Sequence, residues 1–163
     1  MSNGNLKIYL AGLIQGGEYL EKCIAWRKQI REYYNNYKGK VYPIIWLDPL
    51  NSGELESVSE DGLKSNLPAN MIVHKDYLAV QEADIIVVNM DNFGAPRNLT
   101  GTLCELAWAW QMRKPIIMIS KETKYTEHPF LQVFSSVIVP DVETLLKEKW
   151  INAFYKALNS AVY

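Results

Sequence analysis

Apolar runs alternate with segments of helical composition along this chain, and that alternation restricts its possible folds more than any other feature. The run Ala83–Asn89 predicts a buried strand, residues 101–113 predict a helix, and the run Pro115–Ile119 predicts the next strand. Two strands that are joined through a helix run parallel in one sheet, and such a sheet needs helices on both faces. The sequence therefore predicts an α/β protein.

The same pattern extends over the whole chain. Strands are predicted at residues 6–11, 40–47, 83–89, 115–119 and 135–139, and helices at residues 18–37, 70–82, 101–113 and from 140 to about 158. Pro43 places the second strand at a sheet edge, because proline cannot donate a ladder hydrogen bond. We expect one domain over residues 1–163, with a flavodoxin-like, doubly wound, five-stranded parallel sheet in the order 2-1-3-4-5 and helices on both faces.

Two local features refine this picture. Residues 48–68 form a long polar stretch, which predicts a loop. A long loop in a compact domain is usually a lid or a binding loop. Asp141 precedes the last helix and is predicted to be its N-cap, because a carboxylate can accept a hydrogen bond from a first-turn N–H group.

Charge and cysteine content exclude several classes of protein. The formal net charge is -1, so the basic surface of a nucleic-acid-binding protein is absent. No apolar run reaches the roughly 18 residues of a membrane-spanning helix, and the first residues lack an apolar signal core. Cys23 and Cys104 have no metal-ligand spacing and are expected to be reduced. We therefore expect a cytoplasmic protein with no nucleic acid polymer and no membrane as partner.

Common cofactor motifs are missing from the sequence. The segment Gly12-x-x-x-Gly16-Gly17 lacks the Gly-Lys-Ser/Thr ending of a triphosphate loop and fails the spacing of a dinucleotide fingerprint. No Gly-x-Ser-x-Gly nucleophile elbow occurs. His74 and His128 are too few to indicate a metal site. We expect neither a cofactor nor a metal.

Carboxylates at strand ends and helix starts are the remaining candidates for chemistry. In an open α/β sheet the ligand crevice forms at the carboxyl ends of the strands, at the switch point between strands 1 and 3. Glu105 falls on the first turns of the helix after strand 3, where the exposed N–H groups favour an ionised carboxylate. Such a group can act as nucleophile, base or hydroxyl clamp. Alternatively, Glu105 only offsets the helix dipole.

Four aspartates occupy related positions in the predicted fold. Asp84 directly precedes a strand and is expected to cap or turn the chain there. Asp76 lies on a helix face near Tyr77 and Val80, where a solvated surface charge is the alternative to a functional role. The other two are Asp48 and Asp91.

An ordered set of motifs resembles the nucleoside 2-deoxyribosyltransferase family and covers nearly the whole chain. The set consists of Tyr9-Leu-Ala-Gly12, His74-Lys-Asp76, Asp84-Ile-Ile-Val87, Gly101-Thr-Leu-Cys-Glu105-Leu106 and Lys114-Pro115. The chain also ends in Ser160-Ala-Val-Tyr163, which is similar to the terminus of some family members. The resemblance implies nucleosides and free nucleobases as substrates, a place in nucleotide salvage, and no cofactor.

The resemblance also implies a mechanism. Glu105 matches the family's catalytic glutamate, and Tyr9 matches the tyrosine that orients it. Asp76 matches the aspartate that contacts the base and handles its proton. The implied reaction is a double displacement, in which Glu105 attacks the anomeric carbon, forms a deoxyribosyl ester and then yields the sugar to a second base or to water.

Six further residues are implied in substrate binding. Asp48 lies where the family places a base-binding loop, and Asn98 stands beside the position of a family aspartate. His128 takes the place of an asparagine at a subunit boundary. The terminal tyrosine of the family reaches a neighbouring active site, which implies a homo-oligomer with shared sites. The implied substrate-binding set is Gly12, Asp48, Asn98, Gly101, His128 and Tyr163.

Two positions depart from the family pattern. Leu99 stands where the family has aspartate and where related nucleotide N-glycosidases have serine and bind a 5′-phosphate. Ala107 replaces the usual glycine after Leu106. These departures leave two alternatives to the transferase: a nucleoside or nucleotide N-glycosidase with Arg97 on a phosphate, and a non-catalytic nucleoside sensor.

Overall fold

A computed structural model of the chain describes residues 5–39, 43–51, 55–59, 62–65 and 67–160. The strands are β1 (Leu6–Gly12), β2 (Ile44–Leu47), β3 (Leu55–Ser59), β4 (Gly62–Ser65), β5 (Ile85–Asn89), β6 (Ile116–Ile119) and β7 (Val137–Val139). The helices are α1 (Leu20–Asn35), α2 (Ala69–Glu82), α3 (Thr100–Gln111), α4 (Thr123–Thr126), α5 (Pro129–Phe134), α6 (Val142–Glu148) and α7 (Trp150–Ser160).

Five parallel strands form the central sheet in the order β2-β1-β5-β6-β7. This is the predicted flavodoxin-like order, and β2 occupies the edge that Pro43 predicted. The inner strands β1, β5 and β6 consist almost entirely of buried apolar residues. Such continuous apolar runs are expected of parallel strands that are covered on both faces.

Each face of the sheet carries its own apolar core. Ile8 and Leu10 of β1 pack with residues of α1, α6 and α7 on one face. Tyr9 and Ala11 pack with residues of α2, α3 and α5 on the other. Because successive side chains of a strand point to opposite faces, this alternation directs Tyr9 towards α3.

The structure differs from the predicted elements in three places. Residues 55–59 and 62–65, within the stretch predicted as loop, form the antiparallel strand pair β3–β4. The short helices α4 and α5 were also not predicted. The last predicted helix is two helices, because Lys149 adopts a left-handed conformation with φ of 56° and ends α6.

The N-cap prediction for α6 is confirmed. The Asp141 carboxylate accepts hydrogen bonds from the Thr144 backbone N–H at 2.8 Å and from its hydroxyl at 2.7 Å. These hydrogen bonds lower the pKa of Asp141. Within the described part of the chain, no helix is both long enough and apolar enough to cross a membrane.

Candidate active site

Tyr9 and Glu105 form a buried pair at the carboxyl end of the sheet. Tyr9 lies on the inner strand β1, and Glu105 lies in the second turn of α3, the helix that follows β5. The Tyr9 hydroxyl donates a hydrogen bond of 2.7 Å to Glu105 Oε1. Tyr9 is 1% exposed and Glu105 is 8% exposed, so solvent screens this contact poorly.

Burial has the largest effect on the protonation of Glu105. It raises the pKa of the carboxyl to about 8, and the negative charge of Asp76 adds to the rise. The hydrogen bond from Tyr9 and the positive charge of Arg27 act in the opposite direction and lower this pKa. The expectation that the helix terminus keeps Glu105 ionised at neutral pH is therefore wrong, because the dipole effect is confined to the first turn and burial outweighs it.

The pKa of the Tyr9 hydroxyl is also shifted by the site. Burial, followed by the charges of Glu105 and Asp76, raises the pKa of the Tyr9 hydroxyl well above its ordinary value. Tyr9 therefore stays protonated at physiological pH and remains a hydrogen-bond donor. A donor of fixed protonation at 2.7 Å can orient one carboxylate oxygen of Glu105 and leave the other for chemistry.

Asp76 contributes charge to the same site from a different element. It lies on α2 and is half-buried. Its carboxylate raises the pKa of both Tyr9 and Glu105, so its charge acts on both groups. The structure thus brings together all three predicted catalytic residues, one each from β1, α2 and α3.

Asp48 has a different environment from the one that a base-binding loop suggests. It is buried at the end of β2, and its two carboxylate oxygens make ion pairs with Arg27 and Arg31. Oδ1 also accepts a hydrogen bond of 3.0 Å from the Leu50 backbone N–H. These contacts engage both oxygens of Asp48 within the protein.

Sequence analysis missed Arg27, which is fully buried beside the site. Its guanidinium donates hydrogen bonds to the backbone carbonyls of Gly12 at 3.1 Å and Cys23 at 2.6 Å. A signal was available: Arg27 lies between Cys23 and Ile30 at helical spacing, on the stripe of α1 that is buried. A charged residue on such a stripe indicates an internal ion pair.

The remaining predicted site residues are more dispersed. Gly12 is buried, and a Cβ there would lie 2.9 Å from Trp26 Cζ2, so no side chain fits. Gly101 faces open space in the first turn of α3, and Asn98 is exposed just before that helix. His128 is exposed at the start of α5, and its ring lies 6.0 Å from that of Phe130. Tyr163 lies outside the described residues.

Leu99 explains how the chain tolerates its main departure from the motif pattern. The side chain is 4% exposed and packs in the core between the sheet and α3. Leu99 occupies the N-cap position of α3 but makes no side-chain capping hydrogen bond. Two residues earlier, the exposed Arg97 donates a hydrogen bond of 3.1 Å from Nη1 to the Ile14 carbonyl.

A separate cavity of about 350 Å³ lies elsewhere on the same edge of the sheet. It is lined by residues that follow β5, β6 and β7, together with residues of α1 and α6. None of Tyr9, Asp76 and Glu105 lines it. Among the residues that the structure describes, no cluster of three or more His, Cys, Asp or Glu side chains could hold a metal ion.

The protein is thus a flavodoxin-like α/β protein. Its site contains a buried glutamate that accepts a hydrogen bond from a tyrosine of the sheet. The family model described as nucleoside 2-deoxyribosyltransferase matches residues 8–154. The chain therefore belongs to the nucleoside 2-deoxyribosyltransferase family, as the sequence motifs indicated. A search of curated proteins gave no match.

Solved structures are similar to this chain at low sequence identity. The structure of a CMP N-glycosidase from Clostridium botulinum has 17% identity and a TM-score of 0.53, covering 89% of this chain and 98% of that one. A 2-desoxiribosyltransferase from Leishmania mexicana has 18% identity and a TM-score of 0.48, covering 74% of this chain and 71% of that one. The similarity to the glycosidase supports the fold, a five-stranded parallel sheet with helices.

The burial of Glu105 predicts a specific dependence of stability on pH. The folded-state pKa of about 8 lies above the ordinary value of 4.5, so between these values the folded protein binds more protons than the unfolded chain. The free energy of unfolding therefore falls as pH rises through this window. We expect Glu105→Gln, which keeps an acceptor for Tyr9, to be more stable than wild type by on the order of 5 kcal/mol at pH 9 and about equal to it at pH 4.

Urea unfolding at several pH values measures this difference. Glu21→Gln removes an exposed carboxyl from α1 and serves as the control. A Glu105→Gln advantage that did not grow between pH 5 and pH 8 would contradict the raised pKa.

Proposed function

We propose that this protein transfers a 2-deoxyribosyl group between nucleobases through an ester of Glu105. In the first step a Glu105 carboxylate oxygen bonds to the anomeric carbon while the glycosidic C–N bond breaks, and the departing base takes a proton. In the second step a nitrogen of the incoming base bonds to that carbon, loses its proton and releases the carboxylate. The buried hydrogen bond from Tyr9 to Glu105 is the observation that carries this proposal.

Desolvation of Glu105 suits the nucleophilic role. The site disfavours the ionised carboxylate, since burial raises its pKa to about 8. Bond formation to an oxocarbenium-like carbon removes that buried negative charge. The environment therefore stabilises the transition state relative to the ionised enzyme, which is the condition for catalysis.

Asp76 is proposed to handle the proton of the leaving base. Its charge acts on Tyr9 and Glu105 from α2, so it lies beside the reacting carboxylate without being on the same element. A carboxylic acid at this place can donate the proton that a purine or pyrimidine needs to depart. The proposed substrates are accordingly nucleosides and free nucleobases.

The accessible members of the proposed binding set lie at the start of α3. Gly101 faces open space there and is proposed to let the substrate approach the backbone closely, and Asn98 offers an exposed amide just before the helix. Gly12 is enclosed, and its proposed role is to let the end of β1 pack against Trp26 of α1. Asp48 is proposed to bind through the loop that it anchors, because its carboxylate is engaged by arginines.

Hydrolysis with water as acceptor is the second candidate, and Arg97 favours it. Its guanidinium lies at the loop after β1, where Nη1 donates to the Ile14 carbonyl. α3 begins three residues beyond Arg97, and its N-cap residue Leu99 makes no side-chain capping hydrogen bond. A guanidinium next to free helix N–H groups suits a 5′-phosphate, so a nucleoside 5′-monophosphate would be the substrate of this N-glycosidase.

A homo-oligomer with shared sites is proposed from the surface of α3 and α5. Trp110, Phe130 and Val133 are 47%, 65% and 67% exposed. The Trp110 and Phe134 rings stack at 4.7 Å, so these side chains form one apolar patch. Exposed patches of this kind mark interaction sites. His128 begins α5 beside this patch, so a second copy docked there would meet His128. A contribution of the terminal Tyr163 to a neighbouring site is proposed from the family resemblance.

The reaction itself is tested with deoxyinosine, with and without free adenine. Formation of deoxyadenosine identifies a transferase, free deoxyribose identifies a hydrolase, and binding without turnover identifies a sensor. We expect Glu105→Ala and Glu105→Gln to lower kcat roughly a thousandfold, about 4 kcal/mol, because the covalent route is lost. A variant that keeps more than a tenth of the wild-type rate would exclude Glu105 as nucleophile.

Asp76→Asn tests the proton-handling role. The amide keeps hydrogen bonding but cannot donate a proton as a carboxylic acid does. We expect the loss of kcat to be at least about tenfold larger for natural nucleosides than for a substrate with a nitrophenyl-type leaving group. Equal losses on both substrates would leave Asp76 a role in binding only.

Deletion of Val162-Tyr163 tests the shared site. We expect the wild-type protein to be an oligomer by light scattering, and the deletion to raise KM or lower kcat at least about threefold while the melting temperature stays the same. The physical reason is that a terminal side chain that closes a neighbouring pocket contributes to binding and not to its own core. A monomeric wild type, or unchanged kinetics of the deletion, would refute the proposal.

A further inference from the structure

We infer that Arg27 is a positioning residue for the Glu105 reaction, which it serves by fixing the backbone at the end of β1 from inside the protein. This inference rests on the proposed function of Glu105. Sequence motifs do not include Arg27, and its side chain is fully buried. Arg27 contacts the backbone at Gly12, which lies three residues after Tyr9 at the end of β1.

The guanidinium uses its donors on backbone carbonyls around that segment. Nη2 donates to the Gly12 carbonyl at 3.1 Å, and Nη1 donates to the Leu13 carbonyl at 3.4 Å and to the Cys23 carbonyl at 2.6 Å. One side chain thus joins the end of β1 to the first turn of α1. The planar guanidinium fork can do this because its donors are fixed relative to one another.

Asp48 supplies the counter-charge that makes a buried arginine tolerable. Arg27 Nε lies 3.3 Å from Asp48 Oδ1, and Arg31 pairs with the other oxygen. An unpaired buried charge would be costly, and the ion pair with Asp48 together with the carbonyl contacts of Nη1 and Nη2 offsets part of that cost, although Nε itself donates no hydrogen bond to any described residue. The arrangement therefore ties the carboxyl ends of β1 and β2 to α1.

Packing around Gly12 leaves the segment little freedom to shift. The Arg27 guanidinium lies 4.5 Å from the Trp26 ring centre. A Cβ on Gly12 would meet Trp26 Cζ2 at 2.9 Å and the Asn89 carbonyl oxygen at 3.3 Å. Gly12 is thus enclosed by α1 on one side and β5 on the other. Loss of the Arg27 hydrogen bonds would remove a further restraint on the backbone at Gly12 and Leu13.

The charge of Arg27 also acts on the catalytic pair. It lowers the pKa of both Tyr9 and Glu105, in opposition to Asp76. The charged and titratable groups that act on Glu105 are therefore Tyr9 on β1, Asp76 on α2 and Arg27 on α1. Of these three, Arg27 is the cation, so its removal makes ionisation of Glu105 harder.

Two substitutions separate the hydrogen-bonding role of Arg27 from its charge. Arg27→Met removes both, while Arg27→Lys keeps a cation but loses the fork. Lys28→Met is the matched control, because it removes one positive charge from the neighbouring, exposed position of α1. Each variant is measured by hydrogen–deuterium exchange of a peptide spanning residues 10–17 and by the pH dependence of kcat/KM with deoxyinosine.

We expect Arg27→Met to exchange faster at residues 10–17, to lose roughly tenfold or more in kcat/KM at neutral pH, and to shift the rising limb of its pH profile upward. Arg27→Lys should also exchange faster at residues 10–17. The rising limb of its pH profile of kcat/KM should stay near that of wild type, because the positive charge is kept. Lys28→Met should match wild type in both measurements.

Exchange in Arg27→Lys that is as slow as in Lys28→Met would overturn the inference, and this variant decides the matter even where Arg27→Met fails to fold. A pH limb in a folded Arg27→Met that coincides with that of Lys28→Met would also overturn it. Wild-type protein that leaves deoxyinosine and nucleoside 5′-monophosphates unchanged would refute the proposed function instead, while exchange still reports whether Arg27 holds the segment.

Discussion

The hydrogen bond between Tyr9 and Glu105 is the interaction on which the site depends. It requires the Tyr9 side chain to point from β1 to the face of the sheet that α3 covers. It also requires Glu105 to lie on the buried side of α3. Both residues are buried, so the contact is strong and the carboxyl is forced towards its neutral form, with a pKa of about 8. The ionised carboxylate that the proposed reaction uses is therefore the form that lowers the stability of the folded protein.

Buried polar contacts between α1 and the ends of β1 and β2 support the strand that carries Tyr9. Arg27 and Asp48 form an internal ion pair that joins α1 to the ends of β1 and β2. Both members are buried. Arg27 donates hydrogen bonds to the carbonyls of Gly12, Leu13 and Cys23, and Asp48 accepts one from the Leu50 backbone N–H. The reaction proposed for Glu105 benefits from such support, because β1 carries the Tyr9 that orients the carboxylate.

Much of the architecture was predictable from the sequence. The strand order follows from alternating apolar runs, since parallel strands with helical crossovers admit few topologies. The N-cap role of Asp141 followed from local chemistry. Missed features were of another kind: the β3–β4 strand pair lies in a stretch of mostly polar residues, and the break at Lys149 depends on a left-handed conformation that lysine rarely adopts.

The sequence by itself determined the family and the order of the strands, because these depend on motif spacing and on the alternation of apolar and helical segments along the chain. Tertiary structure alone decided the protonation of Glu105, which the sequence placed wrongly as ionised. It also decided that Asp48 faces Arg27 and Arg31. The physical reason is that pKa and ion pairing depend on burial and on charges distant in sequence, and the sheet brings these together only when the chain folds.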